Sequence, residues 1–243
     1  MSRSLQTWVA DSPATLVQCA WIATGDEGIC GLVFRVLNAL SARQSVIDEL
    51  SGRVNVFCQG RKPELWPVSV LPDGLADLQA RLHKANDEGS VWMPTEVVLR
   101  GRADLLLPED VSSVEVADWE MDEERVHAVR LPLERADDRA DVPPGIRCWR
   151  VAPDAAGLEE SSPIYLDLMC ADDEQPPKLW LRVESAHELW RPWSIDHEGP
   201  VPAGRQNLER LRRAMEKVAA ATGGTVSLPT EMLSELDRAN GVR

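Results

Sequence analysis

The amino-acid sequence predicts an α+β fold: a mixed N-terminal region over residues 1–93, an antiparallel β-sheet or sandwich over 94–190, and a Pro/Trp linker with C-terminal helices over 191–243. Three observations predict it. Apolar residues recur at helical spacing near both ends, they alternate at period two in the middle, and the formal charge of −14 sits wholly inside that middle part. From Asp104 to Glu174 there are 20 Asp and Glu against 6 Arg and no Lys, whereas residues 1–103 hold 11 acids and 10 bases and residues 175–243 hold 9 and 10.

Each element follows from its spacing. Ile29, Leu32, Val33, Val36, Leu37 and Leu40 form the stripe of an amphipathic helix that starts after the glycine-bounded segment 25–28. Ser45 and Asp48 have capping-box spacing, so a short second helix closed by Gly52 is expected. Two β-like runs come next, Val54–Cys58 and Pro67–Leu71, and then a helix opened by Asp73 with Leu75, Leu78 and Leu82 on one face.

The period then changes. Val97 and Leu99, Val114 and Val116, Val129 to Leu133, Ile164 to Leu168 and Leu179 to Val183 alternate with polar or small neighbours, as half-buried strands do. Ile146–Val151 is a less regular strand, and the breaks between runs are rich in Pro, Gly and acids. A simple up-and-down meander would put the loops 134–145 and 171–178 at one end of the sheet and 120–125 and 152–162 at the other. After Pro200 and Pro202 the helical period returns in Leu208, Leu211, Met215 and Val218, with Gly223 as its stop. Thr230 is expected to cap a last short helix carrying Met232, Leu233 and Leu236.

Composition narrows the function classes. Five scattered cysteines, an odd number without a C-x-x-C pair, argue against a disulfide framework and a structural zinc site and favour the cytoplasm. The apolar run Ala14–Ala23 is too short to span a bilayer, and Gln18 before Cys19 departs from a lipoprotein cleavage site. Strong negative charge opposes direct contact with nucleic acid or an anionic membrane and permits a basic protein partner. Nine tryptophans among twelve aromatics place several indoles at seams or half-open surfaces.

No catalytic residue, metal ligand set or cofactor loop is expected. Asp118-x-Glu120-x-Asp122 begins like a calcium loop, but Glu123 stands where the turn needs Gly and Val129 where a bidentate Glu belongs. His187-Glu188 begins a zinc-protease motif that Arg191 breaks, and Gly25, Gly28 and Gly31 have the wrong spacing for a dinucleotide fingerprint. His127 shares the apolar side of its strand with Val129, where a structural histidine is expected.

The expected activity is therefore binding. The chain reads as a non-catalytic factor of inhibitor, immunity, adaptor or accessory type that meets a basic partner through Asp118, Glu120, Asp122, Glu123, Glu124, Asp137, Asp138, Asp172, Asp173 and Glu174, with Trp190 and Trp193 as aromatic anchors. Two alternatives are a metal-assisted enzyme using acidic-loop carboxylates with His127, His187 or His197, and a subunit of a larger assembly joined through its tryptophans. An internal answer to the acidity also exists, because Arg205, Arg210, Arg212, Arg213 and Lys217 form a basic face on the helix that follows.

Overall fold

A computed structural model describes residues 3–23, 28–42, 47–58, 62–87, 92–120, 125–136, 142, 144–151, 164–171, 176–194 and 199–242. In chain order the elements are β1 (Arg3–Ile22), α1 (Gly28–Ser41), β2 (Ile47–Cys58), β3 (Glu64–Ser69), α2 (Pro72–Asp87), β4 (Trp92–Ala103), β5 (Leu105–Pro108), β6 (Val111–Glu120), β7 (Arg125–Arg135), β8 (Ile146–Val151), β9 (Ile164–Ala171) and β10 (Lys178–His187). A single 3-10 turn (Glu188–Trp190) follows, then β11 (Trp193–Ser194), β12 (Gly199–Pro200), α3 (Pro202–Thr222), β13 (Thr225–Ser227) and α4 (Thr230–Ala239). No helix among the described residues is long and apolar enough to cross a membrane.

The α+β expectation holds, and the sheet joins all three segments of the chain. Eleven of the described strands form one sheet in the order β3-β2-β4-β9-β10-β1-β6-β7-β8-β5, with β13 added beside β1. Its organiser is β1, whose first half runs parallel to β6 from Arg3 to Trp8 and whose second half runs antiparallel to β10 from Thr15 to Ile22. Register shifts fall between Val9 and Ala14 and between Thr15 and Val17, around Pro13, which has no N–H to give a ladder. The second shift lets Leu16 and Val17 both point inward with Cys19 and Trp21, each at most 2% exposed. The apolar run that is too short for a bilayer is thus a central strand.

Helices α1, α2 and α3 cover one face of the sheet. The six residues of the predicted stripe, Ile29 to Leu40, are all buried on α1, and Leu75, Leu78 and Leu82 are buried on α2. They meet Val54, Val97, Leu99, Leu166, Leu168, Leu181 and Val183 from the sheet, all wholly buried, and burial of such apolar area is the main stabilising term of the fold. Gly223 ends α3 in the left-handed region at φ 74°, as its position in the sequence predicts.

Three expectations are corrected. The segment from Ile47 to Gly52 is strand β2 rather than a short helix: a shift between Asp48 and Ser51 turns both Ile47 and Leu50 inward, and a Cβ on Gly52 would lie 2.0 Å from the Val98 carbonyl oxygen. That glycine serves close strand approach instead of a helix end. Thr230 is the first residue of α4 and Pro229 stands at the cap position, with no side-chain cap bond. The meander also breaks: β6, β7, β8 and β5 are neighbours, but β9 and β10 lie across β1 from them. By strand sense the end of β9 therefore points with the end of β6, and the end of β7 points oppositely, so loops 134–145 and 171–178 leave opposite ends. Ala117 is level with Trp8 and, through Lys178, Ala171 is level with Ile22, so the ends of β6 and β9 are offset by roughly 35 Å of strand contour.

Candidate functional site

The densest polar chemistry among the described residues lies where β10 hands over to α3. The N–H of Arg191 donates to the Glu188 carbonyl at 2.8 Å, closing the 3-10 turn, and the His187 N–H donates to Ser185 Oγ at 3.1 Å. Gly204, in the first turn of α3, sits directly on this backbone; a Cβ there would lie 1.8 Å from the Arg191 carbonyl oxygen. Close approach brings Asn207 under the turn, fully buried. Its Oδ1 accepts the Leu106 N–H at 2.6 Å and its Nδ2 donates to the Leu189 carbonyl at 3.0 Å, so one side chain ties α3 to β5 and to the turn.

Arg191 is the charged centre of this seam. Its Nη2 reaches Glu231 Oε1 at 2.6 Å and also Glu235, and its Nε reaches Glu235 Oε1 at 3.1 Å. The side chains of Arg191 and Glu235 are 9% and 4% exposed, against 56% for Glu231, so the pair with Glu235 is the desolvated one. Burial opposes the charge on Arg191, but Glu235 and then Glu231 outweigh it and hold the guanidinium above its usual value. Buried Glu188 accepts the Ser194 hydroxyl. A permanently charged base enclosed by carboxylates offers no proton to a reaction; the arrangement fastens α4 to the body.

The basic face of α3 is also engaged. Arg212 pairs with Glu209 at 2.9 Å and Glu216 at 2.6 Å, Arg213 with Glu209 at 3.1 Å, and Arg205 donates to Asn240 Oδ1 at 2.8 Å. The hydrogen bond from Arg212 holds the Glu209 carboxyl below its usual value, against a smaller opposing effect of burial. Arg210 turns to the start of the acidic stretch, where Nη1 donates to the Asp104 carbonyl at 3.0 Å, while the buried Asp104 carboxylate accepts from Arg150 Nε at 2.9 Å.

The predicted binding residues fall in three groups. Asp118 and Glu120 are on β6, at register positions opposite His127 and Arg125 of β7. Asp122, Glu123, Glu124, Asp137, Asp138, Asp172, Asp173 and Glu174 lie outside the described residues, as does His197. Trp190 is 2% exposed in the main core and Trp193 is half-buried in β11. Trp21, also in the core, donates from Nε1 to Thr222 Oγ1 at 2.8 Å.

Several of the residues that build this seam were not signalled by any motif. Arg191 breaks a zinc motif and lies between Trp190 and Trp193 in the sequence, but nothing local marks its partners on α4. Asn207 had a usable signal, a polar residue inside the apolar stripe of α3. No group of three or more His, Cys, Asp or Glu able to hold a metal occurs among the described residues. Burial pushes the Cys19 thiol up to about 12, which keeps it protonated and unreactive at neutral pH. No protein-family model matches the chain, and no curated protein or solved structure matches it either.

Proposed function

We propose that this chain is a non-catalytic cytoplasmic binding factor, of inhibitor, immunity, adaptor or accessory type, whose acidic stretch engages a basic protein. One observation carries the reading. Arg212 and Arg213, on the helix that follows the acidic stretch, are taken up by α3's own carboxylates, and Arg205 by Asn240. The nearest run of internal counter-charge is therefore directed elsewhere, and Arg210 meets a backbone carbonyl at the head of the stretch.

Some of the acids are already paired: Asp104 with Arg150, Glu109 with Arg147 and Asp167 with Arg182. Those pairs occupy three of the stretch's twenty acids with two of its six arginines and with Arg182 from beyond it, which leaves a large excess of negative charge on the stretch. Such an excess accelerates encounter with a cationic surface and gives selectivity against acidic ones. The strand ends that border the acidic segments point in opposite senses or lie far apart along β1, which favours an extended basic partner surface over a single basic pocket.

The test is affinity capture from the native cell at low salt with the whole chain and with a variant carrying Glu123→Lys, Glu124→Lys, Asp137→Lys and Asp138→Lys. The proposal expects a basic partner that elutes at roughly 0.3–0.5 M salt and that the variant fails to hold. A partner retained at high salt, or held equally by the variant, would contradict it.

A further inference from the structure

The face of the sheet turned away from α1, α2 and α3 has an internal order that the binding proposal does not use. Three rows cross five strands in register. The first is Asn55, Glu96, Met169, Trp180 and Ala20; the second is Arg53, Val98, Asp167, Arg182 and Gln18; the third is Ser51, Arg100, Tyr165, Glu184 and Thr15. Val98, Tyr165, Met169 and Trp180 are half-buried on it, and at its borders Ile22, Phe57 and Leu65 are 52%, 40% and 60% exposed. Within the three rows its charges balance, with Arg53, Arg100 and Arg182 against Glu96, Asp167 and Glu184, and Lys178 stands at the border level with Ile22 and opposite the neutral Ala171, on a chain whose total is −14. At its centre Arg182 Nη2 pairs with Asp167 Oδ2 at 2.7 Å, Arg182 Nε lies 3.7 Å from Glu184, and Arg100 stacks on the Tyr165 ring at 5.4 Å.

We propose that this face is a docking surface for a second copy of the chain, packed sheet on sheet about a two-fold axis parallel to the strands between β9 and β10. The face is complementary to itself. Such an axis exchanges β9 with β10, and it sets Asp167 of one copy opposite Arg182 of the other, Met169 opposite Trp180, and Tyr165 opposite Glu184, each contact occurring twice. A strongly basic partner would meet three arginines here, and a strongly acidic one three carboxylates; a second copy matches every charge with its opposite or with a neutral group.

Size and edge chemistry agree. From β3 to β13 the face is about 29 Å wide, and from its third row to the border level of Ile22 and Lys178 it spans about 20 Å, roughly 600 Å² in projection, which side-chain relief brings close to the about 800 Å² per partner of a standard interface. Growth by edge pairing is blocked at β3, where Pro67 interrupts the free ladder, and β5 at the other edge has four residues and ends in Pro108. Face-to-face packing of aligned sheets, tilted by about 30°, remains.

The contact has a salt dependence opposite to that of the basic partner. Two chains of −14 repel each other beyond the neutral face, so added salt screens the repulsion and tightens the dimer. Sedimentation velocity on the whole chain from roughly 1 to 100 µM, at about 20 and 300 mM salt, reads this directly. The expected result is a monomer–dimer equilibrium that strengthens with salt and weakens about tenfold or more in Met169→Lys and in Ile22→Asp, with Leu233→Asp on α4 as an unaffected control. Ile22 is more than half exposed, so its variant retains the fold, as circular dichroism will show. A monomer throughout the range at both salts, or a dimer that neither Met169→Lys nor Ile22→Asp weakens, overturns the proposal. Either result leaves the binding of a basic protein untouched.

Discussion

Replacing Arg191 with Met removes the guanidinium that lies against Glu235 and leaves that carboxylate, 4% exposed, without its charge partner. An uncompensated buried charge costs about 3–5 kcal/mol, whereas the second partner, Glu231, is 56% exposed and its bond contributes under about 1 kcal/mol. The expected loss is therefore about 4 kcal/mol, or about 10 °C in midpoint for a chain of this size. Urea unfolding followed by far-UV circular dichroism measures it. The double variant Arg191→Met with Glu235→Leu removes both charges and fills their space with apolar atoms, so it should recover most of the loss and lie within about 1–2 kcal/mol of the parent. Two results would refute the reasoning: a single variant that costs under about 1 kcal/mol, or a double variant as unstable as the single.

Other consequences follow from named contacts. Asn207→Leu strips partners from the Leu106 N–H and the Leu189 carbonyl inside the core, and should cost about 2–4 kcal/mol by the same denaturation assay; a change within about 0.5 kcal/mol would contradict the role given to that side chain. Glu209 has its carboxyl held below the usual 4.5, so its contribution is fully present above that value and is lost as pH falls through the lower folded value. Glu209→Gln should therefore show a shallower loss of stability than the parent below about pH 4.5 in thermal melts, and parallel curves would exclude the coupling. Cys19, with its thiol pushed up to about 12, should resist an aromatic disulfide reagent at neutral pH in the folded protein and react only in urea, as peptide mapping will resolve; modification of Cys19 in the native state at the rate of an open thiol would show that the strand opens.

The parts of the fold that the sequence made legible are those set by local periodicity. The α1 stripe, the α2 and α3 stripes, the strand bounds Ile146–Val151 and the alternating runs of β9 and β10 all appear where their spacing puts them. Elements governed by distant partners were not legible. Strand β1 hides its period because register shifts near Pro13 and between Thr15 and Val17 break the alternation. Strand β2 imitates a capped helix because a bulge turns Ile47 and Leu50 inward three residues apart. The crossing of β9 and β10 to the far side of β1 depends on pairings well over a hundred residues apart in sequence, such as Val17 with Val183. The seam was partly legible in Trp190 and Trp193 and in the run from His187 to Arg191, but the carboxylates that hold Arg191 come 40 and 44 residues later on α4. Of the acidic residues, the sequence shows the charge and the fold shows the strand ends between which their segments run.

The central claim, that the acidic stretch recruits a basic protein, is tested most directly by the association rate of the captured partner as a function of ionic strength. The account predicts a rate that falls by about tenfold or more between roughly 20 and 300 mM salt and a low-salt rate cut comparably by charge reversal at Glu123, Glu124, Asp137 and Asp138, with dissociation changed less. An association rate indifferent both to salt and to those four reversals would contradict it.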